Sequence, residues 1–590
     1  KDVNADQKRT GRNFMANGFL DLKLPVKGLS FRSQFGYNYR SQMNGTYYGR
    51  NTVTGKKVDG RAELANNHTT DWTWENVLKF DRNFGKHHID FTGLFSMQEA
   101  QYTAASQSGE GFVNDDSSFY RMDGAENKIA ISSSFWKENT VSGMFRVNYG
   151  FNSKYLLTLT GRADSFSAFA ENHKWAFFPS AAVAWHLGEE SFIKDNASWI
   201  DMLKIRLSYG ANGNNAISRY QSLDRLYSTN GVKYIWGDNS DAANSAYLPS
   251  DGIGNPDLRW EVKRTMNVGL DAAFWDGRAI FTFDYYHSVT DDMLYQYDVS
   301  VPPFAYNKLL ANLGSMRNSG VELGFGFTPL RKKDMELNVN VNVTFQRNKL
   351  LSLSGMYNGE YMSAPQYTPI ADLTGAGFHG GYNHIVYQIV GQPLGVFYLP
   401  HCTGLIQRED GTYAYEIADL DGGGVDLEDG GDRYVAGQAT PKTLLGSNIS
   451  FRYKNVDVSL QINGAFGHKI YNGTALAYMN MGSFPDYNVM AAAPQRNIYD
   501  QTATDYWLEN GNYVNFDYLT IGWNIPLKKW GKYVQHLRLS DSVNNLATIT
   551  AYSGLTPMIN SYIVDATLGV DDKRNYPVYR SYTLGLTIQF

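Results

Sequence analysis

YTLGLTIQF, residues Tyr582 to Phe590, sets Tyr582, Leu584, Leu586, Ile588 and Phe590 on one parity and Thr583, Gly585, Thr587 and Gln589 on the other. Extended, such a segment has one apolar and one polar face. A soluble sandwich would turn the apolar face to a core, whereas a transmembrane barrel would turn it to lipid and the polar face to a wet lumen. Whether the rest of the chain repeats the design decides between them.

Working outward, Leu337, Val339, Val341, Val343 and Phe345 alternate with Asn338, Asn340, Asn342 and Thr344, and Phe145, Val147, Tyr149 and Phe151 with Arg146, Asn148 and Gly150. Asparagines on the inward positions suit a water-filled lumen better than a dry core. Turns at Asn83 to Lys86, Asn152 to Lys154, Trp275 to Arg278, Leu330 to Asp334 and Lys454 to Asn455 are short. The intervening inserts are long and polar: Ser41 to about Asn67, a Gly/Ser/Asn-rich stretch to about Thr140, Ala211 to Asp257, Ser352 to Thr440, and Thr548 to Tyr579. Alternating short and long connections is the topology of an outer-membrane barrel and predicts about 17 crossings, the last running to the periplasmic side. Two apolar patches, Ile385 to Val390 and Val396 to Leu399, are placed together in an external loop, because a single extra crossing would break the up-down parity. By the same parity the first strand, Asn13 to Pro25, runs downward, and Lys1 to Arg12 is expected in an external loop.

Composition agrees with this reading. Aromatic residues make up 14% of the 590 residues, and 56 Gly stand against 17 Pro, a strand-rich balance. No Pro/Gly/Ser linker marks a domain boundary, and large single barrels are the exception to the usual domain length. The mean hydropathy of -0.40 is polar, but a barrel shows lipid only alternate strand residues. No apolar run approaches the roughly 20 residues of a membrane helix, which excludes a helical membrane protein. A net charge of -5 without a basic stripe argues against nucleic acid, and the single Cys402 rules out a disulfide framework. The expected fold is all-β: an antiparallel transmembrane β-barrel of the large plugged transporter class, which has about 22 strands. Roughly five strands and a plug are expected upstream of Lys1, since the start carries neither an initiator Met nor a signal segment.

Several stretches resemble the SusC/RagA group of TonB-dependent outer-membrane transporters: RADSFSAF at Arg162 to Phe169, Phe178 to Ser180, LKIRLSYGANG at Leu203 to Gly213, NPDLRWE at Asn255 to Glu261 with Asn267 to Asp271, and NLGSMRNSGVE at Asn312 to Glu322. Asp419 to Arg433, Pro441, Gly446, Gly467, Tyr471, Asn472, Asn544 to Leu546 and Phe590 follow in order. The resemblance covers essentially the whole chain. It implies that residues 1–590 are the C-terminal part of a TonB-dependent receptor β-barrel, with the plug, TonB box and first strands lying elsewhere. It further implies a barrel in the outer membrane that imports glycans or peptides, closed by a SusD-like lipoprotein and opened through TonB, with no enzymatic step. Phe590 corresponds to the family's assembly signal. The rival readings are a siderophore or vitamin receptor and a soluble secreted glycan-binding or glycan-cleaving β-protein.

Few constellations carry chemistry. Asp419, Asp421 and Asp426 around Gly422 to Gly424 resemble a calcium loop, in which a sharp glycine turn gathers oxygens for a hard cation. The pattern is incomplete, with Gly423 and Gly430 where ligands are expected, and the alternative is a solvated acidic turn. His379, His384 and His401 beside Cys402 match no compact ligand spacing. No nucleophile elbow, zinc-protease motif or phosphate loop appears. Trp185, Trp260 and Trp523, at strand ends, are assigned to interfacial girdles. Tyr234 and Trp236, in the large insert, are the aromatics placed to contact a ligand or partner.

Overall fold

The computed structural model describes residues 5–235, 243–249, 252–302, 304–373, 383–527, 533–559, 568–573 and 576–590. Eighteen strands belong to one antiparallel sheet. One of them, Glu360–Ser363, is a four-residue addition paired to the end of Met335–Tyr357. The other seventeen are the crossings expected from alternation. In order, as β1 to β17, they are Asp6–Lys23, Leu29–Tyr48, Arg61–Phe84, His87–Glu110, Asn127–Phe151, Tyr155–Phe166, Trp175–His186, Ile200–Asn214, Glu261–Phe274, Ala279–Asp298, Lys308–Lys332, Met335–Tyr357, Thr443–Tyr453, Val456–Phe466, Tyr513–Asn524, His536–Thr550 and Ser581–Gln589.

The chain divides into two compact units, the first 1–183, 210–263 and 294–312, the second 184–209, 264–293 and 313–590. In the first, β1 to β6 pair each with the next. Leu29, Phe80, Phe91, Val147 and Leu159 stand in register across β2 to β6. On the opposite face Thr158 donates to Asn148 at 2.8 Å, and Asn148 to Asp90 at 2.9 Å. In the second unit β11 to β17 likewise form a meander. Val339, Ile449, Leu460, Leu519, Val543 and Tyr582 make one row across β12 to β17. The adjacent row, one residue along, is Asn340, Asn448, Gln461, Tyr518, Asn544 and Ser581. Because directly paired residues share a face, the sheet has one apolar and one polar side, the design first visible in Tyr582 to Phe590.

Strand ends depart from the sequence expectation. The insert from Ser41 is mostly strand, since β2 continues to Tyr48 and β3 begins at Arg61. β4 runs to Glu110 and β5 starts at Asn127. β1 begins at Asp6, so the stretch up to Arg12, expected in a loop, is strand from Asp6 onward. Where both faces of a ladder meet water, backbone hydrogen bonds continue while side chains no longer need to alternate. Periodicity therefore vanishes before the strand does.

Packed cores lie in the connections. In the first unit, Phe166, Phe169, Phe178, Leu258 and Trp260 form one buried cluster. Trp260 is thus a core residue with its indole N–H on the Lys174 carbonyl at 2.9 Å, and the girdle assignment is corrected. Its partners come from a neighbouring strand and loop that local sequence does not reveal. Trp185 and Trp523 are exposed, as that assignment requires.

The 352–440 insert is a folded module. Tyr367–Asp372, His384–Ile389, Val396–Pro400 and Arg433–Gln438 form a separate four-stranded sheet. The two apolar patches supply two of its strands, outside the large sheet as expected. Ile385, Val386, Phe397 and Leu399 pack with Tyr415 of the same insert and with Tyr471, Leu476 and Trp507, brought from the connection after β14. The Trp507 indole N–H donates to the Tyr415 hydroxyl at 2.6 Å, fastening that core.

Candidate functional site

On the polar face of the second unit, guanidinium groups reach across intervening strands. Arg206 of β8 forms a two-pronged contact with Asp271 of β9, at 2.8 and 2.9 Å, and extends to Asp284 of β10 at 2.9 Å. Gly269 makes this possible, because a Cβ there would overlap the guanidinium. The arrangement repeats farther along: Arg538 of β16 lies over Gly522 of β15 and pairs with both oxygens of Asp457 on β14. These pairs are part-wet, and each contributes on the order of 1 kcal/mol or less. Their consequence is a charged, ordered wall rather than large stability.

Family-like motifs turn out to bind one another. Asn312 accepts from the Arg259 amide at 3.0 Å and donates to its carbonyl at 2.7 Å. Asn255 donates to the Leu310 carbonyl at 2.8 Å. NPDLRWE and the start of NLGSMRNSGVE therefore form one joint, and the asparagines are there to satisfy backbone.

The acidic glycine loop is folded by its own backbone. Asp419 accepts from Gly422 at 2.6 Å and Gly424 at 3.0 Å, and these amides hold its carboxyl below the usual carboxylate range. Asp421 accepts from Gly423 at 2.8 Å. The carboxylate that joins them is Asp432, with one oxygen from each residue within 4.8 Å of the others. The expected third member, Asp426, instead accepts from the Glu428 amide at 3.0 Å. Its own amide donates to the buried Asp432 at 2.7 Å. Among the described residues this trio is the set of carboxylates that could converge on a hard cation. Spacing within the motif pointed to Asp426, whereas the chain reversal at Gly430 and Gly431 delivers Asp432 from beyond the motif.

Among the described residues, His384, His401 and Cys402 form no converging ligand set. His379 and Trp236 lie outside the described residues, as does the side chain of Tyr234, which sits on the strand Leu226–Ile235. His384 packs edge-on against Tyr387. His401 contacts Asp505 through Nδ1 at 2.7 Å, and Asp505 also takes the Tyr434 hydroxyl and the Cys402 amide, each at 2.7 Å. The Cys402 thiol donates to the Gly404 carbonyl at 3.1 Å, and burial pushes its pKa up. That is the reverse of what a thiolate nucleophile or metal ligand needs. Phe590 is exposed at the end of β17.

A family profile described as "TonB dependent receptor-like, beta-barrel" matches residues 2–546. TonB-dependent receptor P3 of Formosa agariphila is 30% identical over 588 residues, covering 96% of this chain and 57% of the relative. TonB-dependent receptor SusC of Bacteroides thetaiotaomicron is 27% identical, over 80% of this chain and 46% of that protein. The solved structure of the RagAB peptide transporter superposes with a TM-score of 0.80 at 19% identity, covering 99% of this chain and 62% of that one. The chain thus spans about half the length of the curated relatives it matches.

Proposed function

Because the chain belongs to the TonB-dependent receptor-like β-barrel family of the outer membrane, we propose that it forms the wall and outer vestibule of an importer of oligomeric nutrients, glycans or peptides. The observation that carries the reading is the pair of rows across β12 to β17, six apolar residues on one face and six hydrogen-bonding residues on the other. An apolar row matches acyl chains and a polar row matches a solvated path. The bridges of Arg206 and Arg538 keep that path charged and its strands in register.

In this reading a SusD-like lipoprotein presents the oligomer from outside and TonB supplies the energy that opens the path. The likeness to SusC supports the first element, and the family supports the second. Phe590 serves as the assembly signal at the periplasmic end of the last strand. No bond is made or broken in the cargo, so the protein acts as a conduit.

The test is uptake by cells of labelled glycan and peptide oligomers, compared with strains lacking this gene or TonB. Loss of uptake of one oligomer class in both deletions is expected. If both deletions leave uptake of every tested oligomer unchanged, the proposal is wrong.

A further inference from the structure

Beside the ends of β13 and β14 the second unit has a cleft of about 600 Å³. Lys442 stands immediately before β13, with its amide on the Phe466 carbonyl at the end of β14 at 2.9 Å. Gly467, at φ +77°, turns the chain and leads to Lys469, whose stem lies against Gly437, where a Cβ would come within 2.7 Å. Both lysines line the cleft, no acidic side chain does, and neither ammonium has an ion-pair partner among the described residues. His468 lines it too, is 6% exposed, and leaves Nδ1 without a hydrogen-bond partner among the described residues. A buried nitrogen without a partner is uncommon enough to call for one.

Another stretch of the lining is a sheet edge. Arg433–Gln438 is the terminal strand of its four-stranded sheet and pairs with Val396–Pro400. Residues 435, 436, 437 and 438 all line the cleft. Consecutive residues of a strand point alternately to opposite faces, so a surface lined by four in a row runs along the strand's backbone edge. An extended peptide can add to such an edge through main-chain hydrogen bonds. Among the described residues no Phe, Tyr or Trp lines the cleft, and the one ring there, the His468 imidazole, is buried, so it lacks the broad stacking platform that favours a sugar face.

We propose that this cleft is a binding subsite for an acidic peptide segment, held extended along the edge of Arg433–Gln438 with its side-chain carboxylates paired to Lys442 and Lys469. The proposal rests on the import reading and deepens it by naming the class of cargo. Asn510, paired with Lys469, and Asn512 also line the cleft; their amide oxygens accept the Asn512 and Gly467 amides at 3.0 and 2.7 Å, and their NH2 groups supply neutral donors to the remaining peptide carbonyls.

The test is calorimetric binding to the full-length receptor in detergent, using an acetylated hexapeptide of alternating alanine and glutamate, its glutamine counterpart, the glutamate peptide with alternate amides N-methylated, and hexagalacturonate. The glutamate peptide is expected to bind about tenfold more tightly than the glutamine peptide. That preference disappears in Lys442→Gln/Lys469→Gln with an unchanged melting temperature. If the double variant loses its melting transition, each single variant is expected to lose part of the preference. A preference that is absent, or that survives the lysine substitutions, overturns the subsite. Undiminished binding of the N-methylated peptide overturns the edge placement, and lysine-dependent binding of hexagalacturonate replaces the peptide with an anionic glycan. Uptake separates the two claims: import of oligomers without the charge preference sinks the subsite alone, whereas lysine-dependent binding without any import sinks the import reading alone.

Discussion

Asp432 is 1% exposed, and its two carboxylate oxygens accept the amides of Leu420 and Asp426. Beside it Arg433, also buried, donates to the Leu427 carbonyl at 2.8 Å and the Tyr387 hydroxyl at 2.6 Å. Together they pin the acidic loop to the four-stranded module. Asp432→Ala removes the acceptor of two backbone amides and should destabilise the loop by about 2–4 kcal/mol. Hydrogen exchange over residues 419–433 should accelerate while β12 and β13 stay protected. Unchanged protection of the loop would show that the glycine turns hold it without this carboxylate. Asp432 lay inside a recognised motif, yet its role was not legible, because a calcium-loop template ends before the chain turns back. Trp260 was misread for a related reason: a tryptophan near a strand end looks the same in sequence whether it meets lipid headgroups or Phe169, at a ring separation of 4.9 Å.

Alternation identified all seventeen long strands, but not how their faces are tied. Gly522 looks like a weak strand residue until Arg538 is seen to cross it to reach Asp457. Gly522→Val should displace Arg538 and uncouple β14 from β16, costing about 1–3 kcal/mol, which denaturant unfolding of the folded barrel would measure. A variant as stable as the parent would mean that the guanidinium has another route. In β16 one acidic residue breaks the pattern. Asp541 is exposed on the apolar face of β16, in register with Ile521 on one side and Leu584 on the other. A carboxylate facing lipid is unfavourable. Asp541→Leu should therefore raise stability in lipid bilayers by about 1 kcal/mol, and a loss of stability instead would reveal a polar partner at that position.

At the scale of the molecule, the 352–440 insert is the largest departure from the strand-and-turn plan, a packed module of its own. Its core joins Phe397, Tyr415, Tyr471 and Trp507 from connections that the sequence leaves as Gly, Asp and Tyr-rich loops. In the proposed import reading this packed module would be what a lipoprotein lid docks on, and affinity capture of the full-length receptor from outer membranes should bring down a SusD-like lipoprotein. Capture that is reproducibly free of any such lipoprotein would remove the lid from the proposal and leave the barrel intact.

The sequence by itself determined the crossings, their two faces and their alternating connections, because in a strand between lipid and water each side chain's face follows from its own position. Collinear motifs such as NPDLRWE and NLGSMRNSGVE carried the resemblance to the TonB-dependent transporters, and the family profile matches residues 2–546. Only the tertiary structure decided the packed module, the joint of Asn312 with Arg259, the third carboxylate of the acidic loop and the lysine-lined cleft. Those features depend on groups far apart in the chain, such as Tyr415 and Trp507 at 92 residues' separation, and no periodicity links such residues before the connections fold.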